Sequence, residues 1–107
     1  MRKIFSSLKL SQGRKIVLNA LSTGRDANLA PLTVAVLDVG GHVVCLERED
    51  GSGIMRADIA IAKAWGALGM GMSSREIRDR LQDKPAFLGA LASASQGRFG
   101  PVPGGVL

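Results

Sequence analysis

Few side chains in this sequence can carry chemistry. It holds one histidine, His42, and one cysteine, Cys45. A neutral imidazole ligates iron, so His42 is a candidate haem ligand; otherwise it is a polar residue beside a tight turn, its ring half in water. Cys45 is either a thiolate ligand or redox thiol, or a small apolar residue within a strand. Asp38 stands among apolar neighbours just before Gly40-Gly41. It can serve as an acid or base, but the simpler role is to accept hydrogen bonds from loop amides. Lys63 is the one cation in the mostly apolar stretch 57–68. It suits a substrate carboxylate or a haem propionate, or else it snorkels to the surface or pairs with Asp38 or Glu47. Met70 and Met72 offer thioethers to iron, or simply fill space.

What is missing excludes several classes. One histidine and one cysteine cannot build a four-ligand structural zinc site, and an intrachain disulfide is impossible. A single thiol sits comfortably in the reducing cytoplasm. Gly69-Met-Gly-Met72 follows a helical pattern and lacks the Lys-Ser/Thr of a phosphate loop. No nucleophile-elbow motif supports serine hydrolase chemistry. Net charge is +5, from 14 Lys+Arg against 9 Asp+Glu. The basic residues are scattered and the aromatics are only Phe5, Trp65, Phe87 and Phe99, which argues against a nucleic-acid partner. No apolar run reaches the ~18–20 residues of a membrane span, and the basic N-terminus lacks a signal peptide's apolar stretch.

The elements that must hold these residues are legible. The length of 107 residues, 46% hydrophobic and 21% charged, fits one globular domain spanning 1–107. A first helix is predicted over 12–21, capped by Ser11 and ended at Thr23-Gly24, with Val17, Ala20 and Leu21 on its apolar face. Residues 33–39 are β-branched and apolar on both parities, the mark of a strand covered on both faces. Strand character resumes at His42. Gly40-Gly41 between the two runs predicts a two-residue hairpin. In that register Val39 pairs with His42 and Leu37 with Val44, so His42 and Cys45 point to opposite faces unless a bulge intervenes. An alanine-rich helix is predicted over 54–68, weakened at its end by glycines. Ser73 and Glu76 form a capping-box pattern for a third helix over 74–83, stopping before Pro85. One or two more helical turns follow over 87–95, then a Gly/Pro-rich run. The sum is one α+β domain, helices packed on an antiparallel sheet.

These residues also carry a family likeness. Residues 34–48, Val-Ala-Val-Leu-Asp-Val-Gly-Gly-His-Val-Val-Cys-Leu-Glu-Arg, resemble the signature hairpin of the GlcG/HbpS-like family, the haem-degrading domain. Residues 60–67, Ala-Ile-Ala-Lys-Ala-Trp-Gly-Ala, are similar to that family's Lys-Ala helix. Residues 103–107, Pro-Gly-Gly-Val-Leu, are similar to its Pro-Gly-Gly element. The resemblance implies a profilin-like α/β/α fold, an antiparallel sheet flanked by helices, and assembly into homo-oligomers. It also extends to the C-terminal domain of PduO-type corrinoid adenosyltransferases. Some members bind haem and some are reported to degrade it, while many have no established activity. Asp38, Gly40, Gly41, Lys63, Gly104 and Gly105 fall on the family pattern, and His42 falls where histidine is common. The family's last hairpin and final helix have no counterpart in these 107 residues, which predicts an exposed sheet edge.

Two functions follow from this reading. The first is a small-ligand or haem-binding module using a sheet–helix cleft near His42 and Lys63, with Cys45 as a further candidate ligand. The second is an oligomeric interaction subunit without a cofactor. An enzyme acting on a small organic acid has weaker support, because no convergent acid–base pair is visible.

Overall fold

A computed structural model describes residues 1–99 and Gly105. Helix α1 (Leu10–Asp26) leads into a hairpin of β1 (Thr33–Leu37) and β2 (Val43–Arg48). Helices α2 (Met55–Met70), α3 (Ser74–Leu81) and α4 (Pro85–Ala94) follow. The architecture is α+β, with helices α1 and α2 both packed on a two-stranded antiparallel sheet.

Helix α1 is longer at both ends than the sequence predicts. Ser11 lies inside it, and its first turn is closed instead by Gln12, whose Oε1 accepts the Lys9 N–H at 2.9 Å. Gly24 does not end it either. The helix runs on to Asp26 because Gly24 is buried against Leu32, where a side chain would collide with the leucine. Gly13 gives a second close approach. A methyl there would stand 3.0 Å from Val44 Cγ1 and 3.6 Å from Cys45 Cβ, so the bare backbone lets α1 lie down on β2. Val17, on the predicted apolar face, is fully buried.

At the open end of the hairpin a polar clamp fixes α1 to the strands. Arg25 Nε meets Glu49 Oε2 at 3.1 Å, and Glu49 Oε1 accepts the Leu32 N–H at 2.7 Å. No residue of β1 is exposed, as a strand flanked by helices requires, and Val36 is its most buried member.

Helix α2 extends two residues past its predicted end and stops at Gly71, whose φ of 67° makes the left-handed cap. Ser73 caps α3 as expected, its Oγ accepting the Glu76 N–H. That helix ends at Leu81, two residues early, with Ile77 and Leu81 buried. Helix α4 starts at Pro85, the first-turn position where a missing N–H costs nothing. Gly105 returns to the body of the fold. Its N–H donates to Ser74 Oγ at 2.7 Å, and its carbonyl accepts the Ser74 N–H at 3.1 Å.

Candidate ligand site at the hairpin turn

The hairpin closes differently from a two-residue Gly-Gly loop. The Gly41 N–H donates to the Asp38 carbonyl at 3.0 Å, and the Asp38 N–H donates to the His42 carbonyl at 2.9 Å. The loop is therefore three residues, Val39, Gly40 and Gly41, with only Gly41 at positive φ, 81°. A turn followed by one left-handed residue is the usual three-residue solution. The extra loop residue is compensated by a register shift. Val36 pairs with Cys45, but Leu37 pairs with Val43, leaving Val44 as a bulge. Asp38 and His42 thus stand opposite each other, two residues on from the Val36–Cys45 pair. By strand alternation His42 and Cys45 share parity rather than opposing, which corrects the register expected from Gly-Gly alone.

The turn is organised around one carboxylate. Asp38 Oδ1 accepts the Gly40 N–H at 2.9 Å and the His42 N–H at 3.0 Å. His42 Nδ1 faces the same oxygen at 3.5 Å. The His42 N–H chiefly holds the Asp38 carboxyl below its ordinary pKa. Partial desolvation opposes this, while the Gly40 N–H and the His42 ring add to it. A methyl at Gly40 would stand 2.9 Å from His42 Nδ1, so the exposed ring would have to swing aside. The imidazole, 83% exposed, is presented to solvent with Nδ1 turned to the carboxylate.

Under the turn lies Trp65 of α2. A side chain at Gly41 would stand 3.0 Å from its Cδ1 and Nε1, so the glycine backbone rests on the indole edge. Arg98 stacks on the same indole, 4.5 Å from the ring centre. Next to it is a hollow of about 220 Å³, walled by Trp65, Met70, Leu91 and Phe99 among others. Trp65 and Arg98 were not candidates in the sequence. Trp65 reads there as one member of an apolar helical stripe, and nothing local marks Arg98.

The other predicted site residues lie elsewhere. Lys63 lines a groove of about 900 Å³ beside β1, together with Arg56 and Gly105. His42 is not part of that groove, so the structure does not bring His42 and Lys63 into one cleft. Nor does Lys63 pair with Asp38 or Glu47 among the described residues. Cys45 is half-buried near Gly13 of α1. Gly104 lies outside the described residues. Among the described residues no three His, Cys, Asp or Glu side chains group to hold a metal ion, and no helix is long and apolar enough to cross a membrane.

This fold has a solved counterpart. The crystal structure of Klebsiella pneumoniae protein ORFY, described under the family model DUF336, superposes with a TM-score of 0.81 at 21% identity, covering 96% of this chain and 70% of that one. The fold is thus that of a GlcG-like module. Residues 8–107 match the family model for the haem degrading protein HbpS-like family, and the chain belongs to that family. Among curated proteins, none matches the sequence.

Proposed function

We propose that the chain is a small-ligand module that takes haem at the hairpin turn, where His42 would hold the iron. The observation that carries this is the exposed imidazole whose Nδ1 faces Asp38 Oδ1 at 3.5 Å. Metal-ligating histidines characteristically turn one ring nitrogen to a carboxylate, which sets the tautomer and leaves the other for the metal. His42 does not line the small hollow beside Trp65, so a porphyrin would lie mostly on the surface, against the indole side of the turn. The Trp65 edge and its neighbouring hollow are apolar, and Arg98 offers a cation for a propionate. When bound, haem supplies an iron for redox or oxygen chemistry. The chain's own residues would hold and orient it: His42 Nε2 would ligate the iron, Asp38 would fix the ring, and Gly40-Gly41 would add no side-chain bulk beside it. The setting we propose is the cytoplasm, which suits a chain with one thiol.

Haem titration followed by absorbance tests this on wild type, His42→Ala and Asp38→Asn. The expected result is a saturable, near-stoichiometric Soret shift, lost in His42→Ala and weakened about tenfold or more in Asp38→Asn. An identical shift in His42→Ala moves the ligand to Cys45, a methionine or a nonspecific apolar surface, and ends this assignment.

A second reading, an oligomer-forming interaction subunit, is favoured by the exposure of Val39, Val43, Ile54 and Met55. It expects a stable homo-oligomer in analytical ultracentrifugation and no saturable haem binding.

A further inference from the structure

The basic residues are spread along the chain, but the acidic ones are not. Residues 1–25 hold six Lys/Arg and no Asp/Glu, and residues 26–107 hold eight against nine. The whole of the +5 net charge therefore comes from the first segment. Of its six cations, Arg25 is paired with Glu49. Arg2, Lys3, Lys9, Arg14 and Lys15 have no ion-pair partner among the described residues.

The same segment exposes apolar side chains. Residues 1–9 form an arm ahead of α1, tethered near its base where Ser7 Oγ accepts the Val39 N–H at 3.0 Å. Before that tether every residue is exposed, Ile4 at 93% and Phe5 at 88%. Helix α1 buries Gly13, Val17 and Gly24, while Arg14, Lys15 and Leu18 lie off that stripe and are exposed. Unpaired cations and exposed apolar groups are thus interleaved. A nucleic acid rewards the cations but has little use for Ile4 and Leu18. An anionic bilayer rewards both, with cations at the lipid phosphates and apolar side chains at the boundary between headgroups and acyl chains. At that depth water still meets the backbone groups of an irregular arm.

We propose that the arm of residues 1–9, with the exposed side of α1, docks on an anionic lipid bilayer, Ile4 and Phe5 entering the headgroup boundary while Arg2, Lys3 and Lys9 meet lipid phosphates. Such docking is peripheral and needs no membrane-spanning helix. Two kinds of contact are required together, because neither a few cations nor two apolar side chains hold a protein on a membrane alone. The proposal does not rest on haem binding at His42, since none of the docking residues belongs to the hairpin turn.

The test is co-sedimentation of the full chain with vesicles of phosphatidylcholine and phosphatidylglycerol in equal parts, against vesicles of phosphatidylcholine alone. Wild type is expected to bind the mixed vesicles saturably, to ignore the neutral ones, and to come off as salt rises. Arg2→Gln/Lys3→Gln/Lys9→Gln should bind on the order of a hundredfold more weakly, at about fivefold for each cation near an anionic surface. Ile4→Ser/Phe5→Ser should bind about tenfold more weakly or worse. Both sets of substitutions lie ahead of α1, and unchanged circular dichroism confirms that the fold is kept. Arg75→Gln/Arg78→Gln/Arg80→Gln removes as much charge from α3 and should bind like wild type. Duplex DNA at equal phosphate concentration should leave the protein on the vesicles. Failure of wild type to bind the mixed vesicles overturns the proposal, as does an equal loss from the α3 substitutions. Binding that Ile4→Ser/Phe5→Ser leaves unchanged also overturns it, and displacement by DNA does so by making nucleic acid the occupant.

Discussion

The turn of the hairpin and its outer edge treat backbone polar groups in opposite ways. At the turn, one Asp38 oxygen gathers the Gly40 and His42 N–H groups and faces the His42 ring. At the outer edge of β1, Thr33, Ala35 and Leu37 face a groove with no described strand to meet them. A region that satisfies its own donors holds a side chain steady and can present it. This contrast separates a turn that satisfies its own donors from an edge that meets no described strand, on a single pair of strands, and substitutions can probe each independently.

The largest effect is expected at the turn. Gly41→Ala forces a methyl into the left-handed region at φ 81° and against Trp65. It should cost about 1–2 kcal/mol in urea unfolding. Gly40→Ala, which meets only the exposed His42 ring and the Asp38 carboxylate, should cost under about 0.5 kcal/mol. Equal costs would restore a two-residue turn with both glycines at positive φ.

A smaller effect is expected from acid. The Asp38 carboxyl lies below its ordinary value in the folded state, mainly through the His42 N–H. Its contribution is therefore present above the unfolded pKa and disappears as pH falls through the lower folded value. Urea midpoints measured from pH 6 downward should fall less steeply in that acid window for Asp38→Asn than for wild type. Parallel curves would show that the carboxylate does not organise the turn.

The smallest effect is expected at the edge. Ala35→Pro should leave the β1–β2 pairing intact and cost under about 1 kcal/mol: Leu32 and Asp38 both bond to β2, so by alternation the Ala35 N–H points away from it. Collapse of the hairpin in this variant would mean that the alternation along β1 runs the other way.

Much of the fold was legible from short-range chemistry. The β-branched run at 33–39, of which 33–37 forms β1, the alanine-rich helix, the Ser73 cap and the Pro85 stop all depend on neighbours close in sequence. The departures came where distant residues decide. Gly24 reads as a helix end, yet it lies buried against Leu32, and the helix passes through it. Gly40-Gly41 reads as a two-residue loop, yet Asp38 recruits a third residue and shifts the register past Val44. The candidate site divides in the same way. His42 and Asp38 were visible as candidates because they flank a glycine turn. Their sharing of one oxygen was not visible, nor were Trp65 beneath them and Lys63 in a separate groove.

The sequence by itself determined the order of elements and the scarcity of ligands: one histidine and one cysteine leave no intrachain disulfide and no four-ligand Cys/His zinc site within these residues. Periodicity, caps and composition are local properties, and they survive without knowledge of the packing. Only the tertiary structure decided that His42 and Lys63 serve different places and that one edge of β1 faces a groove. Those facts depend on the closing geometry of the turn and on where α1 and α2 come to rest, which contacts between residues far apart in the chain determine.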